Sequence, residues 1–474
     1  MAMNINKRWL ALMILCLGDL MIVLDTTIVN VALPSIRTDL GFSQTSLVWV
    51  VNAYILTFGG FLLLGGRLGD LYGHRKLFLS GIVLFTLSSL ACGLANTQET
   101  LIVARAIQGL GGAVVSAVAL SIIMNLFTKP NERAKAMGFF GFVMASGGSI
   151  GVFLGGVLTS TFDWHWIFLV NIPIGIVVFV LCLKLLPKGK KQNGPRHLDI
   201  AGAITVTLSL ILAVYAIVKG NEIGWMSNQT IGMLGAAIAL MVLFLTIEHK
   251  VKSPLMPLGL FKLRSVATAN VVGVLWAAAM FAWFFISALY MQLVLGYTPL
   301  QVGLSFLPAN LIMAAFSIGI SAKIVMRFGT KLPITIGMLL VGSGLALFTM
   351  APIDGTFYHN VLPGMILLGL GAGMALNPVL LAAMNDVKQS ESGLASGVVN
   401  TSFMMGGALG LAILASLAAS HTSSLIASGA ATLPAINGGY HAAFAVGALF
   451  GLAASIVSAM FFVSKKQPAG KVVH

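Results

Sequence analysis

Long apolar runs recur along the whole chain, and short polar segments separate them. Each run is close to the ~20 residues that an α-helix needs to cross the hydrocarbon core of a bilayer. The apolar positions are continuous and do not alternate with polar ones, which favours membrane helices over the strands of a barrel. The pattern predicts fourteen membrane-spanning helices, near residues 9–33, 47–66, 77–95, 101–126, 134–158, 166–186, 199–218, 229–247, 266–292, 302–326, 332–351, 361–384, 393–419 and 441–463.

The composition supports a membrane protein and excludes other classes. Hydrophobic residues make up 58% of the 474 residues and charged residues only 8%, whereas soluble domains carry about 25% charged residues. A soluble or disordered chain does not have this composition. The three cysteines lie inside apolar runs and lack the spacing of a metal site or a disulfide framework. The sequence contains no Walker A, HExxH or GxSxG pattern, so we predict a protein that is not an enzyme and holds no metal or cofactor.

Basic residues are distributed unevenly between the two sides of the predicted membrane. The N-terminus and every second loop hold all Lys and Arg residues except Arg37, Arg105 and Lys219. Because cytoplasmic loops are enriched in Lys and Arg, this asymmetry predicts that both termini are cytoplasmic. The net charge of +14 is therefore a topology signal. We expect the lipid bilayer to be a partner and nucleic acid not to be one.

Two basic, proline-containing segments divide the predicted helices into groups of six, two and six. These segments lie at 187–199 and 248–265. They predict an N-terminal six-helix bundle at 1–186, linkers with two extra helices at 187–265, and a C-terminal six-helix bundle with a short cytoplasmic tail at 266–474.

The two six-helix groups resemble each other in sequence. GGRLGDLYGHRKLFLSG (65–81) aligns at a constant offset with SAKIVMRFGTKLPITIG (321–337), which places Gly73 on Gly329. Internal repeats of this kind are typical of secondary transporters. The repeat therefore predicts a transporter and argues against a receptor or enzyme without transport, which is the alternative from a different class.

Acidic residues are almost absent from the predicted spans, and only Asp19 and Asp25 lie inside one. An ionised carboxylate in hydrocarbon costs several kcal/mol unless it is paired, so both residues are candidates for proton coupling. Arg105 lies at a depth similar to that of Asp25, which is compatible with an ion pair between them. Asp19 and Asp25 are about 120° apart around their helix and need not share one site. A structural ion pair or a polar contact to water is the alternative interpretation.

The loop GRLGDLYGHRK (66–76) is a tight cytoplasmic turn with one carboxylate among basic residues. Its glycines allow a sharp reversal and close helix approach, and the carboxylate can pair with a base to form a latch that opens and closes. A basic inner loop also follows from topology alone, and that is the alternative. The candidate gating residues are Gly66, Asp70, Gly73, Arg75 and Lys76.

Aromatic and polar residues occur together in several spans and are candidates for a substrate pocket. Aromatic rings offer adaptable contact area and cation–π contacts, and methionine is flexible. The alternative is that these side chains face lipid or pack against other helices. The candidate substrate-binding residues are Trp49, Asn52, Tyr54, Trp283, Phe284, Tyr290, Asn310, Asn400, Phe403 and Met404.

Several glycines recur at intervals typical of close helix packing. Such contacts also allow helices to slide or tilt during a transport cycle. The candidate helix-packing residues are Gly109, Gly147, Gly151, Gly155 and Gly156.

Several of these motifs occur together and in order in a known family. The chain resembles the fourteen-spanner drug:proton antiporters of the major facilitator superfamily over essentially its whole length. The motifs that carry the resemblance are LDTTIVNVALP (24–34), WVVNAYILTF (49–58), GRLGDLYGHRK (66–76), RAIQGLGGA (105–113), GGSIGVFLGG (147–156) and LPAN (307–310).

The resemblance implies a proton-driven exporter of lipophilic or cationic compounds in a bacterial cytoplasmic (inner) membrane, as in multidrug efflux and antibiotic resistance. It gives Asp25 the proton-coupling role, Arg105 the role of its basic partner, and Asp70 with Arg75 the role of a cytoplasmic gate. Two departures stand out. Val152 occupies a position where the family's antiporter motif has proline, and spans 10 and 13 carry no acidic residue.

We therefore predict an all-α polytopic membrane protein with a major-facilitator-like fold, in which two six-helix bundles flank two extra spans. The expected function is exchange of H⁺ for a lipophilic or at most singly cationic substrate by alternating access, by a monomer. A proton-coupled uptake symporter and an exporter of a natural metabolite are the alternatives within transport.

Overall fold

The computed structural model describes residues 5–186, 198–251, 254–316, 320–384, 386–387 and 392–462. These residues are helical apart from short turns and connections, and no strand occurs among them. The helices of the first part of the chain are α1 (Ile5–Leu40), α2 (Val48–Tyr72), α3 (His74–Gly93), α4 (Gln98–Leu126), α5 (Pro130–Thr161), α6 (Trp166–Leu169), α7 (Asn171–Leu185), α8 (Ile200–Ile223) and α9 (Asn228–Lys250).

The second part of the chain continues the all-helical pattern. Short π-helical segments at Tyr290–Val294 and Phe357–Val361 adjoin two of its helices. The α-helices are α10 (Arg264–Leu289), α11 (Pro299–Ala315), α12 (Ser321–Phe328), α13 (Lys331–Phe348), α14 (Leu362–Met384), α15 (Ser392–Ala427) and α16 (Thr432–Phe461).

Thirteen helical segments among the described residues are long and apolar enough to cross a membrane, and α11 is a shorter apolar helix. The predicted span at 302–326 corresponds to α11 and α12, and residues 317–319 between them lie outside the described part of the chain. The prediction of an all-α polytopic membrane protein is confirmed. The fifth helix runs from Pro130 to Thr161, and Val152 within it is buried.

The chain divides into two compact units. The first comprises Met1–Pro257 and Met291–Leu304, and the second comprises Leu258–Tyr290 and Ser305–His474. The change from the first unit to the second at Pro257 lies within the second predicted linker. Most of the first predicted linker, residues 187–197, lies outside the described residues. The division into 1–186, 187–265 and 266–474 remains a prediction.

Glycine contacts hold α5 against α1 in the first unit. A Cβ atom on Gly147, Gly151 or Gly155 would meet α1 at Val23, Leu24 or Ile28, respectively. These glycines are spaced four residues apart and therefore share one face of α5. Gly109 of α4 similarly faces the Tyr54 carbonyl of α2, and Gly156 faces the backbone of Pro299 and Leu300. The predicted packing glycines thus lie at close helix contacts.

The aligned segments at 65–81 and 321–337 have equivalent local structures. Gly73, between α2 and α3, and Gly329, after α12, both have positive φ values, of 95° and 75°. Side chains rarely adopt this conformation, so glycine is required at both turns. One element later, Gly81 faces the Gly111 carbonyl of α4, and Gly337 faces the Gly371 carbonyl of α14. The repeat read from the sequence therefore extends to backbone conformation and helix packing.

Candidate functional site

A buried ion pair lies in the interior of the first unit. Asp25 of α1 is completely buried and pairs with the guanidinium of Arg105 from α4, which is 1% exposed. A second nitrogen of Arg105, Nε, donates to the Val50 carbonyl oxygen of α2 at 2.9 Å. The ion pair that the similar depths of Asp25 and Arg105 suggested is thus formed, and it joins α1, α2 and α4.

Three neutral side chains complete a hydrogen-bond network around Asp25. Gln108 Nε2 donates to Asp25 Oδ1 at 2.7 Å and lies 2.7 Å from Ser89 Oγ of α3. Asn171 Nδ2, from the start of α7, lies 3.0 Å from Asp25 Oδ1 and 3.0 Å from Ser89 Oγ. Gln108 also accepts from Arg105 at 2.6 Å. All five members of this Asp25 network are buried. They satisfy one another's polar atoms except for Asn171 Oδ1, which has no hydrogen-bond partner among the described residues.

Aromatic rings cover the Arg105 side of the Asp25 network. The guanidinium carbon lies 4.4 Å from the ring centre of Tyr54 and 5.5 Å from that of Phe168. Such contacts stabilise a cation over the electron-rich face of the ring. Tyr54, which the sequence placed among substrate-binding candidates, therefore belongs to the surroundings of the ion pair.

The geometry links the charge of Asp25 to the positions of its neighbours. The Arg105 guanidinium and the side-chain amides of Gln108 and Asn171 donate to the Asp25 carboxylate. A proton on this carboxyl removes the charge that holds Arg105, and the guanidinium is then a buried cation without a counter-charge. Leaving one member of a buried pair uncompensated is strongly unfavourable. The arrangement is therefore suited to converting the gain or loss of one proton into a movement of α1 relative to α4.

Asp19 lies on the same helix about 9 Å from Asp25 along the axis but has different surroundings. Its side chain is completely buried, and neither carboxylate oxygen has a hydrogen-bond partner among the described residues. Ser116 of α4 and Tyr54 of α2 are nearby, and the Tyr54 hydroxyl also has no partner in the described part of the chain. Asp25 and Asp19 are therefore two separate carboxyl sites.

The structure describes most residues of the predicted gating loop. Gly73 forms the turn, Gly66 lies on α2, and Lys76 is exposed. Arg75 donates to the Leu183 carbonyl oxygen near the end of α7 at 2.6 Å. The side chain of Asp70 lies outside the described residues. Arg75 thus fastens the start of α3 to α7, and the predicted latch between Asp70 and Arg75 remains a prediction.

The substrate-binding candidates of the first unit all lie on α2. Trp49 lies against Tyr215 of α8, with ring centres 6.3 Å apart. Asn52 is completely buried within α2. Tyr54 lies beside Arg105, so Trp49 and Tyr54 contact different neighbours.

In the second unit, Trp283 and Phe284 form an aromatic cluster with Phe306 of α11. Ring centres lie 4.4 Å apart for Trp283 and Phe284, 5.4 Å for Trp283 and Phe306, and 5.3 Å for Phe284 and Phe306. Asn310, one turn after Phe306, is 1% exposed. The Tyr290 hydroxyl instead donates to the Pro352 carbonyl oxygen at 2.8 Å, which ties the end of α10 to a loop.

The remaining candidates lie on α15. Phe403 is buried against Gly273 of α10, and its ring centre is 5.6 Å from that of Trp276. Asn400 and Met404 are half-buried. The close contact at Gly273 brings α10 and α15 together, so Phe403 serves at least in helix packing.

Three residues of the Asp25 network were not among the sequence candidates. Gln108 carries a local signal, because it follows Arg105 by three residues and therefore shares its helix face. Ser89 and Asn171 carry none. They are separated from Asp25 by many residues, and a lone serine or asparagine in an apolar run is common in membrane helices.

Comparison with known proteins identifies relatives over most of the chain. Residues 15–411 match the family model described as Major Facilitator Superfamily. The puromycin resistance protein of Streptomyces alboniger is 37% identical over 94% of this chain and 89% of its own length. The cephamycin export protein of Amycolatopsis lactamdurans is 36% identical over 87% and 85%, and a multidrug transporter protein of Bacillus subtilis is 31% identical over 89% and 77%.

Solved structures match the fold. An auto-inhibited peptide transporter of the POT family has a TM-score of 0.68 at 14% identity, covering 97% of this chain and 99% of that one. The xylose transporter XylE from E. coli, in an inward-open conformation, has a TM-score of 0.62 at 17% identity, covering 98% of each chain. At these identities the likeness concerns the fold alone.

Proposed function

The chain belongs to the Major Facilitator Superfamily, and from this premise we propose that it exports lipophilic or monocationic compounds in exchange for protons. It is a multi-pass membrane transporter, not an enzyme, and its relatives include drug and antibiotic export proteins. Proton coupling, the direction of transport and the substrate are the parts that we propose.

The observation that carries the proposal is the buried pair of Asp25 and Arg105. A charged pair inside the membrane is retained at a considerable desolvation cost. Both oxygens of the Asp25 carboxylate are paired within the first unit, so its charge is compensated without a substrate. This supports a proton-exchange role for Asp25, with Arg105 as the cation that stabilises its deprotonated form.

In the proposed cycle, a proton arriving on Asp25 weakens its attraction to Arg105. The donors from Gln108 and Asn171 lose their charged acceptor at the same time. The helices that carry these side chains then adopt a second packing, and loss of the proton restores the first. Substrate and proton favour different packings, which is the thermodynamic requirement for exchange.

Asp19 supplies the second charge of the proposal. It has no cationic partner in the described residues, so a cation that comes close to it supplies its counter-charge. This makes Asp19 the carboxyl that meets a monocationic substrate. Because the helices of the second unit add no acidic residue, a dication finds no second counter-charge.

The proposed gate lies at the turn between α2 and α3. Gly73 provides the reversal, Arg75 holds α7, and Asp70 is the carboxyl that opens and closes the latch. We place the protein as a monomer in the bacterial cytoplasmic membrane with both termini in the cytoplasm. The distribution of Lys and Arg in the loops supports this orientation.

The test is collapse of a pH gradient in inverted membrane vesicles on addition of ethidium. Wild-type vesicles should release protons in response to the compound, and Asp25→Asn vesicles with the same amount of protein should not. Asp354→Asn is the matched control, because Asp354 is an exposed acid in a turn. Retained proton release in the Asp25→Asn variant would show that another group carries the proton. Proton movement in the same direction as the substrate would indicate a symporter.

A further inference from the structure

Two tryptophans mark one face of α10 in the second unit. Trp276 and Trp283 are seven residues apart, which is two helical turns less about 20°, or about 10.5 Å along the axis. Each ring contacts a phenylalanine from another helix. Trp276 lies 5.6 Å from Phe403 of α15, and Trp283 lies 5.4 Å from Phe306 of α11. These four residues form the tryptophan stripe.

Both indole N–H groups of the tryptophan stripe are shielded from solvent, and neither has a hydrogen-bond partner among the described residues. An indole nitrogen is a donor only. A buried donor without an acceptor lowers the stability of the protein, because the donor has lost its hydrogen bonds to water and gained none in return. Two such donors recur on one helix face. This arrangement is expected if a molecule that binds there supplies the hydrogen-bond acceptors.

Asn310 adds a third group of the same kind. It follows Phe306 by one turn and so lies on the same face of α11. Its side chain is 1% exposed, and neither its amide nitrogen nor its amide oxygen has a partner in the described part of the chain. The tryptophan stripe is thus accompanied by a group that both donates and accepts hydrogen bonds.

No negative charge accompanies these groups. The helices of the second unit contain no Asp or Glu, and the acidic residues that the structure describes in this unit, Asp354 and Asp386, are exposed in turns. A cation therefore finds only aromatic faces here. A planar compound with a carbonyl oxygen finds both stacking surfaces and unpaired donors.

We propose that the tryptophan stripe and Asn310 bind the carbonyl-bearing aromatic part of an uncharged substrate. The indole N–H groups donate to carbonyl oxygens, Phe306 and Phe403 stack on the rings, and the Asn310 amide pairs with an amide-like group. This inference names the substrate class of the exporter and therefore rests on the proposed function. Trp276 and Phe306 are the binding residues that it adds to the sequence candidates.

The test uses three compounds that share one fused three-ring skeleton. Phenanthridinone is neutral and carries a lactam carbonyl, phenanthrene is neutral and has no hydrogen-bond acceptor, and ethidium is a monocation. Equilibrium dialysis against the purified full-length protein in detergent measures the affinity for each compound. Trp276→Phe and Trp283→Phe remove an N–H group and keep a ring, and Asn310→Leu removes the amide. Trp225→Phe, in an exposed outer turn, is the control.

Each Trp→Phe variant should lose about tenfold in affinity for phenanthridinone and change less than twofold for phenanthrene. Asn310→Leu should show the same selectivity, and Trp225→Phe should match the wild type. Equal losses for both neutral compounds would assign the tryptophans to packing and overturn the proposal, as would unchanged phenanthridinone binding. Binding with the expected selectivity but without proton-linked transport would contradict the proposed function and leave this site standing.

Discussion

The interiors of the two units differ in chemistry although their backbones repeat. The first unit buries the ion pair of Asp25 and Arg105 with neutral polar partners, and it also buries the carboxyl groups of Asp19, Asp199 and Glu248. The second unit buries tryptophan, phenylalanine and asparagine side chains, and its helices carry no acid. The equivalent glycines Gly73 and Gly329 nevertheless both have positive φ values.

The difference indicates which properties the repeat constrains. Turns and close helix contacts depend on backbone conformation, so both copies keep glycine there. Buried polar groups depend on what must bind, and here the copies have diverged. In the functions that we propose, the first unit binds protons and cations, and the second unit binds the uncharged aromatic part of the substrate.

The largest expected effect is that of removing the cation from the charged unit. Arg105→Leu leaves the Asp25 carboxylate buried without its partner, which costs about 3–5 kcal/mol for a buried pair. We expect ethidium export to fall by more than about 100-fold and the thermal unfolding midpoint of the purified protein to drop.

A double variant makes this prediction specific. The double variant, Asp25→Asn with Arg105→Leu, removes both charges. Its unfolding midpoint should therefore recover, while proton-coupled export stays absent. If the two changes lowered the midpoint additively, Asp25 and Arg105 would not stabilise each other. The contrast between a charged first unit and an uncharged second unit would then not hold.

A smaller effect is expected for Asp19→Asn. This change removes a buried carboxyl of α1 that has no cationic partner among the described residues, so export of ethidium should fall about fivefold. Export of neutral phenanthridinone should change less than twofold, because we propose that the second unit binds it without charge. The measurement is the initial rate of efflux for both compounds in the same cells. A parallel loss for both would remove the distinction between charged and uncharged recognition.

The smallest effect concerns the neutral members of the Asp25 network. Ser89→Ala removes a hydroxyl that lies within hydrogen-bond distance of both Gln108 and Asn171, and we expect turnover to fall about threefold with unchanged ethidium affinity. Ser88→Ala is the matched control. The Ser88 hydroxyl donates to the Leu84 carbonyl oxygen of its own helix at 2.7 Å, so its loss should leave turnover at the wild-type level. Equal turnover in the two variants would show that the network does not position Asp25.

The sequence predicted the main partners at the charged site and few of their neighbours. Asp25 and Arg105 were identifiable because charges inside apolar spans are rare. Ser89 and Asn171 were not, because small polar residues are ordinary in such helices. In the second unit Trp283 and Asn310 were candidates from composition, whereas Trp276 was not, since only its unpaired N–H group distinguishes it.

The sequence by itself determined the membrane helices, the internal repeat, the family resemblance and the carboxyl candidates. Hydrophobic length, glycine spacing and the rarity of buried charge are local properties, and each can be read along one segment. Only the tertiary structure decided that Arg75 holds the Leu183 carbonyl, that Tyr290 holds that of Pro352, and that four residues from three other helices surround Asp25. These contacts join residues far apart in the chain. They depend on how helices rotate and approach one another, which no single segment specifies.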